Sequence, residues 1–153
     1  MKKLLLILLS FIVYSASAQI SFKTGNVQLD SDLNTIDVSA SADFGAFKGK
    51  LLVSYDVSEK KIEFMRGSVN MAPGEIYLAL EVSKLSKTPL DEVIRIYERN
   101  RSKGWGYIAK EAGIKPGSPE FHQLKNNASS KKNKAKHKGK RKGKGQGKGK
   151  GKK

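Results

Sequence analysis

Asp30, Asp32 and Asn34 occupy alternate positions of DSDLNTID, the spacing with which a calcium-binding loop begins to close hard oxygen donors on one cation. Such a loop also needs glycine at its sixth position for a sharp turn and a bidentate glutamate at its twelfth. Thr35 and Ser41 stand there instead, so the segment reads as a solvated turn. Nucleophilic chemistry fares no better. The chain has no cysteine, which excludes thiol catalysis, disulfides and zinc-thiolate sites. Its two histidines, His122 and His137, make no metal pair at helical spacing, and neither a Ser/His/Asp order nor G-x-S-x-G is present. Asp91, Glu92, Glu98, Glu111 and Glu120 lie beside basic residues, a pattern of ion pairs on helix surfaces in which no acids converge. These residues point to no enzyme activity, no metal and no cofactor.

Trp105, between Gly104 and Gly106, has two readings. Tryptophan is highly buried on average, so the first is a core residue anchoring a turn, with the glycines admitting backbone close to the indole. The second is an exposed partner-binding aromatic, which His122 on the following helix would join. The surrounding stretch, GWGYIAKEAGIKPGSPEF, has the outline of a helix-turn-helix. Ala109 is the small packing residue, Gly113 the turn glycine, and Ile108, Ala112 and Ile114 the apolar flanks. Pro116 and Pro119 fall where the recognition helix would run, and an interior proline costs about 3 kcal/mol by removing a hydrogen bond and clashing with the preceding turn. Ser118 and Pro119 look instead like an N-cap and a first turn. The segment therefore reads as a helix-turn-helix used for packing, not for reading DNA.

A series of short helices must position these residues. Phe44, Phe47, Leu51, Leu52 and Tyr55 recur at helical spacing, although KLLVSYDV also permits a strand. Ser58 can cap a helix carrying Ile62, Met65 and Val69. Pro73 opens another with Ile76, Leu80 and Leu85 along one side. Thr88, Pro89, Asp91 and Glu92 form a helix start, with acids where the macrodipole favours them. Residues 105 to 112 make a short helix stopping at Gly113, and a last one starts at Ser118. The expected fold is all-α, a bundle of four to six short helices over residues 41 to 124. Residues 19 to 40 read as an extended arm, a small hairpin or a disordered segment.

Charge divides the chain further. From Gln19 to Leu124 there are 14 basic and 14 acidic residues, so this body is formally neutral. Residues 125 to 153 carry 13 lysines and Arg141, with no acid. Apart from Ala128 and Ala135 they offer almost nothing to bury, and their six glycines each oppose helix by about 1 kcal/mol relative to alanine. A disordered polycation is expected there. Lys131, Lys132, Lys134, Lys136, Lys138, Lys140, Arg141, Lys142, Lys144, Lys148, Lys150, Lys152 and Lys153 are its candidate polyanion-binding residues. The other end begins with two lysines, an eleven-residue largely apolar run from Leu4 to Tyr14, and Ala16, Ser17 and Ala18. That order is a secretory signal peptide cleaved before Gln19, and the run falls short of the roughly 20 apolar residues that span a bilayer. The chain is expected in the periplasm, at the cell surface or in the medium.

KGWGYIAKEAGIKPGSPEFHQLK, with the preceding MAPGEIYLALEVSKLSKTPLDEVIRIYERN, resembles a group of small exported bacterial proteins sharing a Gly-Trp-Gly-x-Ile-Ala-Lys-Glu-x-Gly-Ile-Lys-Pro-Gly-Ser segment. The resemblance covers about residues 71 to 125 and implies an exported helical protein, with no activity attached. The resulting division is a signal peptide (1 to 18), an arm (19 to 40), a helical domain (41 to 124) and a basic tail (125 to 153). The functional expectation is an exported, non-enzymatic interaction protein. Its tail binds lipopolysaccharide, capsule, anionic lipid or extracellular nucleic acid without sequence specificity. The alternative is an envelope regulatory or binding protein whose helical body recognises a protein or peptide, the tail being incidental.

Overall fold

The computed structural model describes residues 20 to 141, and the expected signal peptide lies outside them. Among the described residues the chain forms seven α-helices, a 3-10 turn and no strand. The all-α expectation holds at that level, with one helix more than the upper count.

The additional helix is α1, Val27–Ala42, in the stretch that the sequence presents as an arm or hairpin. Asn26 caps it, its side-chain oxygen accepting the Leu29 N–H at 2.9 Å. Leu29, Leu33, Ile36 and Ala40 follow at three- and four-residue spacing and are all buried. Asp30, Asp32 and Asn34 thus stand on a helix, which overturns both the calcium loop and the solvated turn. Asp30 accepts the Thr24 N–H at 3.0 Å, and the Asn34 amide donates to the Asp30 carbonyl at 2.9 Å.

Helix α2, Phe44–Tyr55, makes residues 50 to 55 of KLLVSYDV helical and stops at Asp56; α3, Glu59–Gly67, is capped by Ser58 as its sequence implies. Helix α4, Pro73–Ser86, is the axis of the domain. Every residue from Pro73 to Val82 is buried, and α1, α2, α3, α5 and α7 all pack against it. A helix surrounded in this way has no solvent face along those turns, which explains why its apolar residues run almost continuously instead of forming one stripe. Helix α5, Leu90–Asn100, starts just after Pro89 and runs into the 3-10 turn Arg101–Lys103. The Thr88 hydroxyl donates to the Ala112 carbonyl at 2.8 Å, tying the start of α5 to the end of α6, Trp105–Glu111.

The Gly-Trp-Gly sequence is explained by what passes over it. Residues 20 to 26 run across the start of α6, with the Trp105 N–H donating to the Phe22 carbonyl at 2.8 Å and the Gly106 N–H to the Lys23 carbonyl at 3.0 Å. A Cβ on Gly106 would meet the Thr24 carbonyl oxygen at 2.8 Å; one on Gly104, whose φ is +84°, would meet the Lys23 Cβ at 2.5 Å. The backbone the glycines admit is therefore the N-terminal segment, in which Phe22 is buried.

The last helix, α7, Pro119–Arg141, is capped by Ser118, whose hydroxyl accepts the Phe121 N–H at 3.2 Å. Its length corrects the expected boundary at Lys125, because residues 125 to 141 continue the helix. The part of the expected disordered tail from Lys142 onward lies outside the described residues. Helix α6 packs mainly on α5, whereas α7 packs on α1 and α4, so different neighbours hold the two helices around the Gly113 turn.

Candidate functional site

The basic residues begin on a helix that is locked to the body. Leu124 and Ala128 are buried, and Lys131 and Lys132 continue the same stripe at helical spacing. The Asn127 amide donates to Glu81 Oε2 at 2.8 Å, while Tyr55 donates its hydroxyl to Glu81 Oε1. Burial, with the Glu81 charge beside them, pushes the Tyr55 and Tyr77 hydroxyls well above the ordinary tyrosine range. The Lys131 ammonium lies 5.4 Å from the ring centres of Phe47 and Tyr77. Desolvation pulls that amine below the usual lysine range, with Lys50 adding to the effect.

Lys132 makes the tightest link. Its Nζ lies 2.5 Å from Oδ1 of Asp32, a carboxylate only 2 % exposed that also accepts the Gln28 amide at 2.7 Å. Removing one partner of a fully buried ion pair costs about 3 to 5 kcal/mol, because the other charge is stranded. Lys132 keeps part of its side chain in water, so Lys132→Met should cost about 2 to 3 kcal/mol in urea unfolding. Lys134→Met, at an exposed position, should stay within about 0.5 kcal/mol of wild type. Equal effects of the two changes would show that the Asp32 pair does not hold α7.

These contacts divide the candidate polyanion-binding residues. Lys131 and Lys132 are committed to the body and leave the set of freely presented charges. Lys134 is exposed, and the backbone of Lys136, Lys138, Lys140 and Arg141 continues α7. Lys142, Lys144, Lys148, Lys150, Lys152 and Lys153 lie outside the described residues. A stripe of Phe121, Leu124, Ala128 and Ala135 at intervals of three, four and seven is the sequence signal that α7 extends, but the surrounding lysines mask it.

The partner-binding candidates separate as well. His122 is exposed on α7. Trp105 is 2 % exposed, which removes it from any exposed partner-binding surface. Its indole N–H donates to Glu75 Oε1 at 3.3 Å, and its ring centre lies 5.3 Å from that of Tyr97. Glu75 Oε2 accepts the Tyr97 hydroxyl and the Ala72 N–H, each at 3.0 Å. Sequence reasoning misses this carboxylate because Glu75 looks like an ordinary first-turn acid of α4. With donors on both oxygens, it organises the junction of α4, α5 and α6.

Asp37 on α1 approaches the same helix start and accepts the Gly74 N–H at 2.8 Å. Desolvation raises its pKa; the Gly74 hydrogen bond opposes this and the nearby Glu75 charge reinforces it. A carboxylate raised on folding contributes stability below its unfolded pKa and loses it as pH rises through the folded value. Asp37→Asn retains an acceptor for Gly74 without ionising. Its melting temperature should therefore gain on wild type as pH rises from about 4, the ordinary aspartate value, towards neutrality. A relative loss over that range would contradict the desolvation account.

Among the described residues no three His, Asp or Glu side chains are grouped to hold a metal ion, and no helix is long and apolar enough to cross a membrane. Comparison of the chain with protein-family models, with curated proteins and with solved structures finds no match.

Proposed function

We propose that this is an exported, non-enzymatic interaction protein that attaches to anionic polymers through the basic segment from Lys134 to Lys153. The observation that carries the reading is the continuity of α7. One helix starts in the core, is fastened by Leu124, Ala128, Asn127 and the Lys132–Asp32 pair, and continues into the basic run. The start of the polycation is thus joined to the domain by a regular helix. Eleven basic residues lie from Lys134 to Lys153 without one acid, while the body up to Leu124 is neutral.

Lipopolysaccharide, capsule, anionic lipid and extracellular nucleic acid share the required chemistry, a dense array of exposed negative charge. The order of residues 1 to 18 supports export, as does the resemblance of residues 71 to 125 to small exported bacterial proteins. The test compares heparin and duplex DNA binding by the full chain, by a chain ending at Ala135, and by residues 134 to 153 grafted onto an inert carrier. The full chain and the graft should bind; the shortened chain should not. Binding retained by the shortened chain would transfer the function to the helical body.

A further inference from the structure

The turn between α3 and α4 borders an open cleft of about 500 Å³. Ser21, Arg66, Asn70 and Arg101 line it and are exposed, so each offers surface to a ligand; Met71 and Glu75 line it and are buried. The Arg101 guanidinium is held at this turn, where its Nη2 donates to the Asn70 carbonyl at 2.7 Å and its carbon lies 5.2 Å from the Tyr97 ring centre. Asn70 has a φ of +57°, a left-handed conformation that asparagine tolerates better than most residues. The Arg66 guanidinium carbon lies 3.6 Å from the centre of the Phe44 ring. Stacking of that kind covers one face of a guanidinium and leaves its in-plane N–H groups for an oxyanion. Neither arginine forms an ion pair with any described residue. Glu75, the acid of the lining, already receives the Trp105, Tyr97 and Ala72 donors. Two positive charges therefore stand against one negative charge, and the cleft is one anion short of neutrality.

We propose that this cleft binds a small polyhydroxylated carboxylic acid, with its carboxylate at Arg66 and Arg101 and its hydroxyls at Ser21 and Asn70. The planar fork of arginine matches a carboxylate, and a single negative charge completes the balance of the lining. The volume falls in the range of about 300 to 1,000 Å³ usual for small-molecule sites. Exposed hydroxyl, amide and guanidinium groups favour a ligand that hydrogen-bonds along its length over an alkyl chain. The ligand is a monomer and the cleft is separate from the segment from Lys134 to Lys153, so the outcome leaves the polyanion reading untouched.

The full chain, labelled with nitrogen-15, is titrated with gluconate and with sorbitol, its neutral six-carbon counterpart, at constant ionic strength. Gluconate should give saturable amide shifts centred on Ser21, Arg66, Asn70 and Arg101, and sorbitol should give none. Arg66→Gln should weaken gluconate about tenfold, as for loss of a hydrogen bond between charged groups. Ser21→Ala, at an exposed position and without touching either arginine, should weaken it about fivefold, as for one neutral hydrogen bond. Because Arg66→Gln also removes the stacking on Phe44, Ser21→Ala provides the independent check. Lys134→Gln should leave the affinity unchanged. Shifts that are absent, or that follow the lysines of α7 in place of the cleft, overturn the proposal. Equal gluconate affinity in wild type and Arg66→Gln overturns it too.

Discussion

Trp105→Ala should lower the unfolding free energy by about 3 to 5 kcal/mol, the loss typical of truncating a large aromatic residue in a core. A domain of this size has roughly 5 to 15 kcal/mol in total, so the change removes a large share of it. Three effects act together. The indole is 2 % exposed, and its deletion opens a void beside Tyr97. Glu75 loses the donor on Oε1 while remaining buried. The N-terminal segment that bonds to residues 105 and 106 loses the ring that fixes the start of α6. Trp105→Phe separates these effects, because it keeps most of the aromatic bulk and removes the donor; the cost should be about 1 to 3 kcal/mol. Urea unfolding followed by circular dichroism measures both variants without needing tryptophan fluorescence. A loss below about 1 kcal/mol for Trp105→Ala would contradict the core assignment.

The second large effect is the salt dependence of polyanion binding. Eleven basic residues lie from Lys134 onward, after Lys131 and Lys132 are assigned to the body. If about half engage phosphates on duplex DNA, counterion release gives a slope of about −5 in log affinity against log salt. Affinity should fall by around three decades between roughly 50 and 200 mM salt. Lysines provide point charges without the planar fork of arginine, and glycine provides no aromatic platform, so unrelated DNA sequences, heparin and anionic vesicles should compete alike. The choice of truncation matters. A chain ending at Ala135 keeps Ala128, Asn127, Lys131 and Lys132, and should melt like the full chain. One ending at Lys125 strands Asp32 and removes the Asn127 bond to Glu81, so a binding defect there would be confused with unfolding. Salt-insensitive or sequence-selective binding would be incompatible with the electrostatic mechanism.

Both results depend on features with different origins. The helix starts at Ser58, Pro73 and Ser118, the stop at Gly113 and the all-α class are legible in the sequence, because caps, prolines and turn glycines act over three or four neighbouring residues. The partition of charge is equally local and needs only counting. By contrast, the sequence of α1 suggests an arm. Its serines, threonine, asparagine and valines have modest helix propensity, and burial of Leu29, Leu33, Ile36 and Ala40 in a helix packed on α4 and α7 outweighs it. Local reasoning ends α7 too early for a related reason. Lysines normally signal solvent, and only the placement of Asp32, Phe47 and Tyr77 by other helices gives Lys131 and Lys132 somewhere to dock.

The candidate sites divide in the same way. The concentration of positive charge and the exclusion of thiol and disulfide chemistry follow from composition alone. Only the packing of the helices puts Trp105 in the interior and brings donors from α5 and α6 to Glu75. Glu75 and Tyr97 are 22 residues apart, and Asp32 and Lys132 are 100 apart. Contacts at such separations arise from helix packing in three dimensions, and no local spacing rule encodes them.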